Sequence, residues 1–212
     1  EMCIRDRYIT ADLAKTSLER IEEKRASGGN NLYLNAGDIS EKEGARVTPV
    51  GGDSVTGYHV WVSKKKLVFS EEPSREDIAQ RADDSGVGPV TGKEKIAQFF
   101  GLFVWNYGTQ SVQYFEFGQT SLVQPFLELM ADEEIGSSPE DYDWKLSVNR
   151  SGDFPQYNIQ AGPGWRRKPE FQAKIQDAWD TVAAKGGANG PNCQVALMGG
   201  DVFTGTVKAC GF

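Results

Sequence analysis

Residues 102–117 read LFVWNYGTQSVQYFEF: two β-rich runs, Leu102–Tyr107 and Gln110–Phe117, split by Gly108-Thr109. A glycine-containing pair between runs of aromatic and β-branched residues is a hairpin signal. The period then changes. Leu122, Val123, Phe126, Leu127 and Met130 share one face of a helix over 120–132, in which Pro125 fits best in the first turn. Alternation returns over 143–149, with Trp144, Leu146 and Val148 on one face and Lys145, Ser147 and Asn149 on the other. It continues over 155–161, where Tyr157 and Ile159 point inward. The centre of the chain is therefore strand, strand, helix, strand, strand.

Working outward, Leu32–Leu34, Arg46–Val50 (closed by Gly51-Gly52-Asp53) and Gly57–Ser63 are further strand candidates. A strand at 45–50 ahead of the hairpin gives the order of the OB fold, a five-stranded Greek-key barrel with a helix between strands 3 and 4. The expected fold is mainly β with flanking helices and OB-fold-like, with 57–100 inserted after the first strand. The pattern also allows 57–63 as the second strand, or a generic antiparallel α+β sheet. Residues 10–26 read as a surface helix. Residues 169–184 read as another, with Pro169 at its first position and Phe171, Ile175, Trp179 and Val182 as its apolar stripe. The polar, Gly-rich stretch 70–92 reads as a long loop, and 93–100 as a short helix or a lead-in to the next strand. The domain is expected over 8–185 and a Gly-rich tail over 186–212.

The chain has 212 residues and a net charge of −7. Its 39% hydrophobic content is enough for a core. No apolar run approaches the ~18 residues that span a bilayer, and no secretory signal is visible, so no membrane partner is expected. The acidic balance does not exclude nucleic acid, because phosphates respond to local potential and a basic groove fits on an acidic body. Residues Glu1–Arg7 back-translate to GAG ATG TGT ATA AGA GAC AG plus one base, the transposon end used in sequencing libraries. They read as an adapter artefact, with the protein starting near Tyr8 and an environmental assembly as its source. Apart from Cys3, the cysteines are Cys193 and Cys210, read as a reduced cytosolic pair with a disulfide across a hairpin as the alternative, and the single histidine is His59. A structural zinc site takes four Cys/His ligands, so neither metal nor cofactor is expected. No P-loop, GxSxG, HExxH or dinucleotide fingerprint is present, and an enzyme is not expected.

Sequence-tolerant binding of single strands needs cations along the phosphates and flat rings under the bases. Phe103, Trp105 and Tyr107 share one face at strand spacing and form the best aromatic ladder in the chain. Whether that face or the Leu102 and Val104 face meets water stays open on the pattern. Trp61, with Tyr58 nearby, stands beside Lys64-Lys65-Lys66, three adjacent lysines that cannot all be buried. Lys145, Arg150 in the loop between the last two strands, and Arg166-Arg167 complete the candidate cations.

The ordered set of these motifs resembles the single-stranded DNA-binding proteins of tailed phages. It runs from Phe99-Phe100 through Trp105-Asn106-Tyr107, Val112-Gln113-Tyr114-Phe115-Glu116-Phe117 and Gln119-Thr120-Ser121-Leu122. It continues with Tyr142-Asp143-Trp144-Lys145-Leu146, Asn149-Arg150-Ser151-Gly152 and Tyr157, with Gly57-Tyr58 and Trp61 upstream and Ala196–Phe203 downstream. The resemblance implies an OB fold, single-stranded DNA binding in phage replication, recombination or repair, and a place in the cytoplasm of the infected bacterium. It also implies a C-terminal peptide, at Asp201, Val202 and Phe203 or at Phe212, that engages replisome proteins. Val202 stands where that family has proline, and Thr204–Phe212 runs past its usual end. The other readings of the same fold are a non-catalytic phage structural or protein-interaction module, and a sugar- or peptide-binding OB domain.

Overall fold

One strand organises the molecule. β2 (Ala45–Val62) is a single strand of 18 residues in the computed structural model, broken by a bulge at its centre. Residues 50–53 of β2 stand against Phe103 alone on β4 (Ile96–Asn106), between the pairs Pro49↔Val104 and Ser54↔Leu102. Extra residues on one strand bend it and sharpen its twist, and here they let the two halves of β2 take different partners. Ala45–Val47 pairs with β6 (Trp144–Asn149), Tyr58–Val62 pairs with β3 (Lys65–Phe69), and β4 runs alongside both. Gly51 and Gly52 carry the bend at φ +82° and +68°. At Gly51 there is also no room for a side chain, since a Cβ would lie 2.4 Å from the Trp179 ring.

The structure describes residues 32–161, 169–185 and 194–203. Residues 1–7, the helix expected over 10–26, Arg166, Arg167, Cys193 and Cys210 lie outside them. β5 (Ser111–Phe117) pairs antiparallel with β4, β1 (Tyr33–Leu34) pairs parallel with β5, and β7 (Gln156–Gln160) pairs antiparallel with β6. The result is an open, curled, mixed sheet in the order β1-β5-β4-β2-β6-β7, with β3 added to β2. The expected five-stranded closed barrel is thus seven-stranded and open, because β5 pairs with β1 where closure would need β7.

Both faces of the sheet are covered. On the inner face Leu102, Val104, Phe115, Trp144, Leu146 and Ile159 pack beneath α2 (Thr120–Ala131), which contributes Leu122 and Phe126. Pro125 falls in the second turn of α2 rather than the first, half-buried beside Phe126. On the outer face Phe103, Trp105, Val112 and Tyr114 pack beneath α3 (Pro169–Lys185) and the segment 194–203, which begins with the short α4 (Gln194–Leu197). The stripe expected on α3 makes this contact: Trp179 lies 5.3 Å from Phe103 and Phe171 lies 5.4 Å from Tyr107, centroid to centroid. A third cluster joins Val60, Val62, Leu67 and Phe69 to Ile78 and Ala82 of α1 (Arg75–Asp84).

That helix replaces much of the loop expected over 70–92. Its start is a capping box: the Asp77 amide donates to Ser74 Oγ at 3.1 Å, and the Ser74 amide donates to Asp77 Oδ2 at 2.9 Å. The carboxylate of Asp77 is held below its ordinary pKa by the Ser74 hydroxyl, which donates to Oδ2 at 2.7 Å, and then by the Ser74 amide.

Candidate nucleic-acid interface

The β2–β3 hairpin turns in two residues, Ser63 and Lys64, both at positive φ (47° and 70°). Such turns match the twist of the flanking strands, and Asn-Gly is their usual sequence because non-glycine residues resist positive φ. Here a lysine occupies the second position and is presented to solvent. Lys65 is exposed beside it. Trp61 pairs across the strands with Lys66 and is 56% exposed. Trp105 and Trp144 are 1% and 0% exposed. Trp61 therefore offers an indole to solvent where those two do not.

The two faces of the hairpin differ. Tyr58, Val60 and Val62 point to α1, and Tyr58 is half-buried in that cluster, not available as a stacking ring. His59, Trp61 and Lys66 lie on the other face. Lys66 is half-buried; its ammonium pairs with Glu116 and lies 5.1 Å from the centre of the Phe99 ring. Burial, and then the charge of Lys66, hold His59 below the ordinary imidazole pKa, with Glu116 opposing.

No family model, curated protein or solved structure matches the chain.

The aromatic ladder is on the outer face but does not reach solvent. Phe103 and Trp105 are each 1% exposed beneath α3 and 194–203, because a strip of rings that wide is sealed by the Phe171, Ile175, Trp179 stripe. Tyr107 is half-buried; its hydroxyl donates to Asp143 Oδ1 at 2.8 Å and its ring lies 5.1 Å from the Arg46 guanidinium. Val202 and Phe203 are 1% and 5% exposed, with Phe203 edge-on to Phe103 and Tyr33. The segment Asp201–Phe203 is thus part of the outer core rather than a free peptide. Arg150 is occupied structurally: its guanidinium donates to the Gly37 and Ile39 carbonyls at 2.9 and 3.1 Å, and its amide donates to Glu41. Lys145 is half-buried on the outer face, opposite Arg46 and Gln160.

Two residues that the sequence reading passed over are prominent. Phe154, in the β6–β7 loop, is 76% exposed, and the aromatic beside Gly152-Asp153 in a turn was its signal. Arg46 is the second. It donates through Nε to the fully buried Asp143 at 2.8 Å, leaving 37% of its side chain exposed. Among the described residues no cluster of His, Cys, Asp or Glu is placed to hold a metal ion, and no helix is long and apolar enough to cross a membrane.

Proposed function

We propose that this protein binds single-stranded DNA without reading its sequence, as phage-type proteins of replication, recombination and repair do. We place the strand on the Trp61 face of the β2–β3 hairpin. The observation that carries the reading is Trp61 itself, exposed by more than half at the end of a hairpin whose turn presents Lys64 and which sets Lys66 across from the ring. A flat ring flanked by cations is the minimal unit of sequence-tolerant binding, with stacking worth about 1–3 kcal/mol per base. Phe154 is a second exposed ring suited to the same work.

We also read the sheet as an OB barrel left open at one seam. The order β2, β4, β5, α2, β6, β7 supports this, as does the pairing of β2 with both β4 and β6, a Greek-key crossing. Sealing of the outer face by α3 and 194–203 moves the binding surface from the β4–β5 face to the hairpin.

Titration with poly-dT at low and high salt tests the function. Indole emission should be quenched at low salt and recover as salt rises. Trp61 is the most exposed tryptophan among the described residues, so Trp61→Phe should reduce the quenching. Trp61→Ala should weaken binding by about 1–3 kcal/mol. Unchanged emission at low salt would refute strand binding and leave the non-catalytic interaction module as the reading.

A further inference from the structure

Beside the hairpin, on the same face of the sheet, lies a cavity of about 190 Å³ lined by Tyr33, Lys66, Tyr114, Glu116 and the chain at Gly199-Gly200. On this measure ~10–15 Å³ holds one water, so the space has room for a ring system rather than a single solvent molecule. It is reachable from solvent: the Lys66 and Glu116 side chains keep 27% and 28% exposure, and Tyr33 at the rim keeps 41%. Its shape depends on glycine. A Cβ at Gly101 would lie 2.0 Å from the Tyr114 hydroxyl, so only glycine lets Tyr114 occupy its place. Tyr33 is fixed edge-on to Tyr114 and Phe203, with ring centres 6.2 and 5.5 Å away, and its hydroxyl bonds to Asp201. The cavity therefore combines an aromatic rim with one carboxylate and one ammonium that pair with each other through a single carboxylate oxygen.

That combination selects among the four bases. A carboxylate presents two acceptors side by side. Guanine answers with two parallel donors, N1–H and the 2-amino group, while its O6 and N7 accept from an ammonium. Adenine and cytosine set a ring-nitrogen acceptor beside their amino group, against the second carboxylate oxygen. Thymine flanks its one N–H with two carbonyls. We propose that this cavity takes one guanine base, with Glu116 accepting from N1–H and the 2-amino group, Lys66 donating to O6 or N7, and Tyr33 covering the ring. As a property of the bound strand the assignment rests on the DNA-binding reading above, with a guanine read at one position of an otherwise sequence-tolerant path.

The test has two arms. In the first, a dT oligonucleotide and the same oligonucleotide with one central dG are titrated by fluorescence. The dG strand should bind about tenfold tighter, and Glu116→Gln, which turns an acceptor into a donor facing N1–H, should bring the two strands to equal affinity. In the second, guanosine, inosine and adenosine are titrated by calorimetry. Guanosine should bind, inosine (which lacks only the 2-amino group) about tenfold more weakly, and adenosine not measurably. The nucleoside arm decides the matter even if Glu116→Gln fails to fold. Equal binding of both strands with no preference for guanosine overturns the base pocket and leaves strand binding standing. Selective guanosine binding with neither strand bound keeps the pocket and overturns the strand reading. No binding in either arm overturns both.

Discussion

Asp143 joins three parts of the sheet, and the two ways of breaking its contacts should differ in cost. Its carboxylate is fully buried and accepts from Arg46 through Nε (2.8 Å) and Nη2 on β2, and from the Tyr107 hydroxyl (2.8 Å) after β4. Asp143→Ala removes the acceptor. The donors left behind are not stranded, since Arg46 is 37% exposed and Tyr107 is half-buried, so both turn to water. The loss is then that of hydrogen bonds to a charged group, about 1.5–3 kcal/mol. Arg46→Ala does the opposite: it leaves a carboxylate with no exposure and its cation gone. Removing one partner of a buried pair costs about 3–5 kcal/mol. Arg46→Ala should therefore be the worse variant although it removes the more exposed residue. Adding Asp143→Ala to it should recover stability, giving a coupling of at least about 1 kcal/mol in the cycle. Urea unfolding at neutral pH, followed by tryptophan emission, measures all three variants. If Asp143→Ala proved costlier than Arg46→Ala, or if the two effects simply added, the argument from what is left behind would fail.

Replacing Lys64 by Gln should lower the slope of log affinity against log salt for poly-dT by about 0.7, the share of one phosphate contact, while Lys65, paired with Val62 on the α1 face, should leave it unchanged when replaced by Gln; an unaltered slope on Lys64→Gln removes that lysine from the path. Gly51→Ala should destabilise by about 2–4 kcal/mol, combining the left-handed backbone with the push on Trp179. Gly52→Ala, with φ +68° and nothing within 4 Å of its Cβ, should cost only about 1 kcal/mol; equal losses in urea unfolding would show that Trp179 does not press on the bulge. The NMR titration of His59 should have its midpoint below the ordinary 6.5, and Lys66→Gln should raise it. Since folding lowers this pKa, the stability linked to His59 is complete above 6.5 and is lost as pH falls through the folded value; a midpoint at or above 6.5 would contradict the placement of His59 beside Lys66.

Much of the sheet was legible because one rule, alternation, reports a strand that is buried on one face. β6 was found in this way, with Trp144, Leu146 and Val148 inside, and β7 with Ile159. The helix faces of α2 and α3 followed from their 3.6-residue period, except that Leu127, expected on the buried face of α2, is 47% exposed. What failed was every place where a strand is covered on both sides. In β4, Leu102 and Val104 lie under α2 while Phe103 and Trp105 lie under α3, so alternation carried no signal and left open which face of the strand meets water. β2 was read as two strands because Gly51-Gly52 signals a turn. Only pairing with β4 on both sides of the bulge shows one strand, and that is a long-range contact. α1 was missed for a different reason: Ser74-x-x-Asp77 with Ile78 and Ala82 four apart is a legible helix start, outweighed by the polar composition around it. Of the candidate site, Trp61 and its lysines were visible because three adjacent cations force exposure. The cavity at Lys66 and Glu116 was not, since it joins β3, β5, β1 and 194–203 across the sheet.

The positions of these elements also explain how a chain of net charge −7 would present a surface to DNA. α1 carries Glu76, Asp77, Asp83 and Asp84 against Arg75 and Arg81, and it packs on the Val60, Val62 side of the hairpin. Acidic charge thus occupies the face that the helix already seals, while Trp61 and Lys66 stand on the face it leaves uncovered. Moving inward along that face, Lys66 reaches Glu116, and beyond them α3 and 194–203 cover the sheet. A strand lying on the hairpin has therefore only a short open stretch before it meets the covered core, and at that boundary lies the cavity of Tyr33, Lys66 and Glu116. Should poly-dT protect the hairpin amides from hydrogen exchange while those of Glu76–Asp84 exchange as before, this one-sided approach holds; protection on α1 instead would put the strand on the acidic side and overturn it.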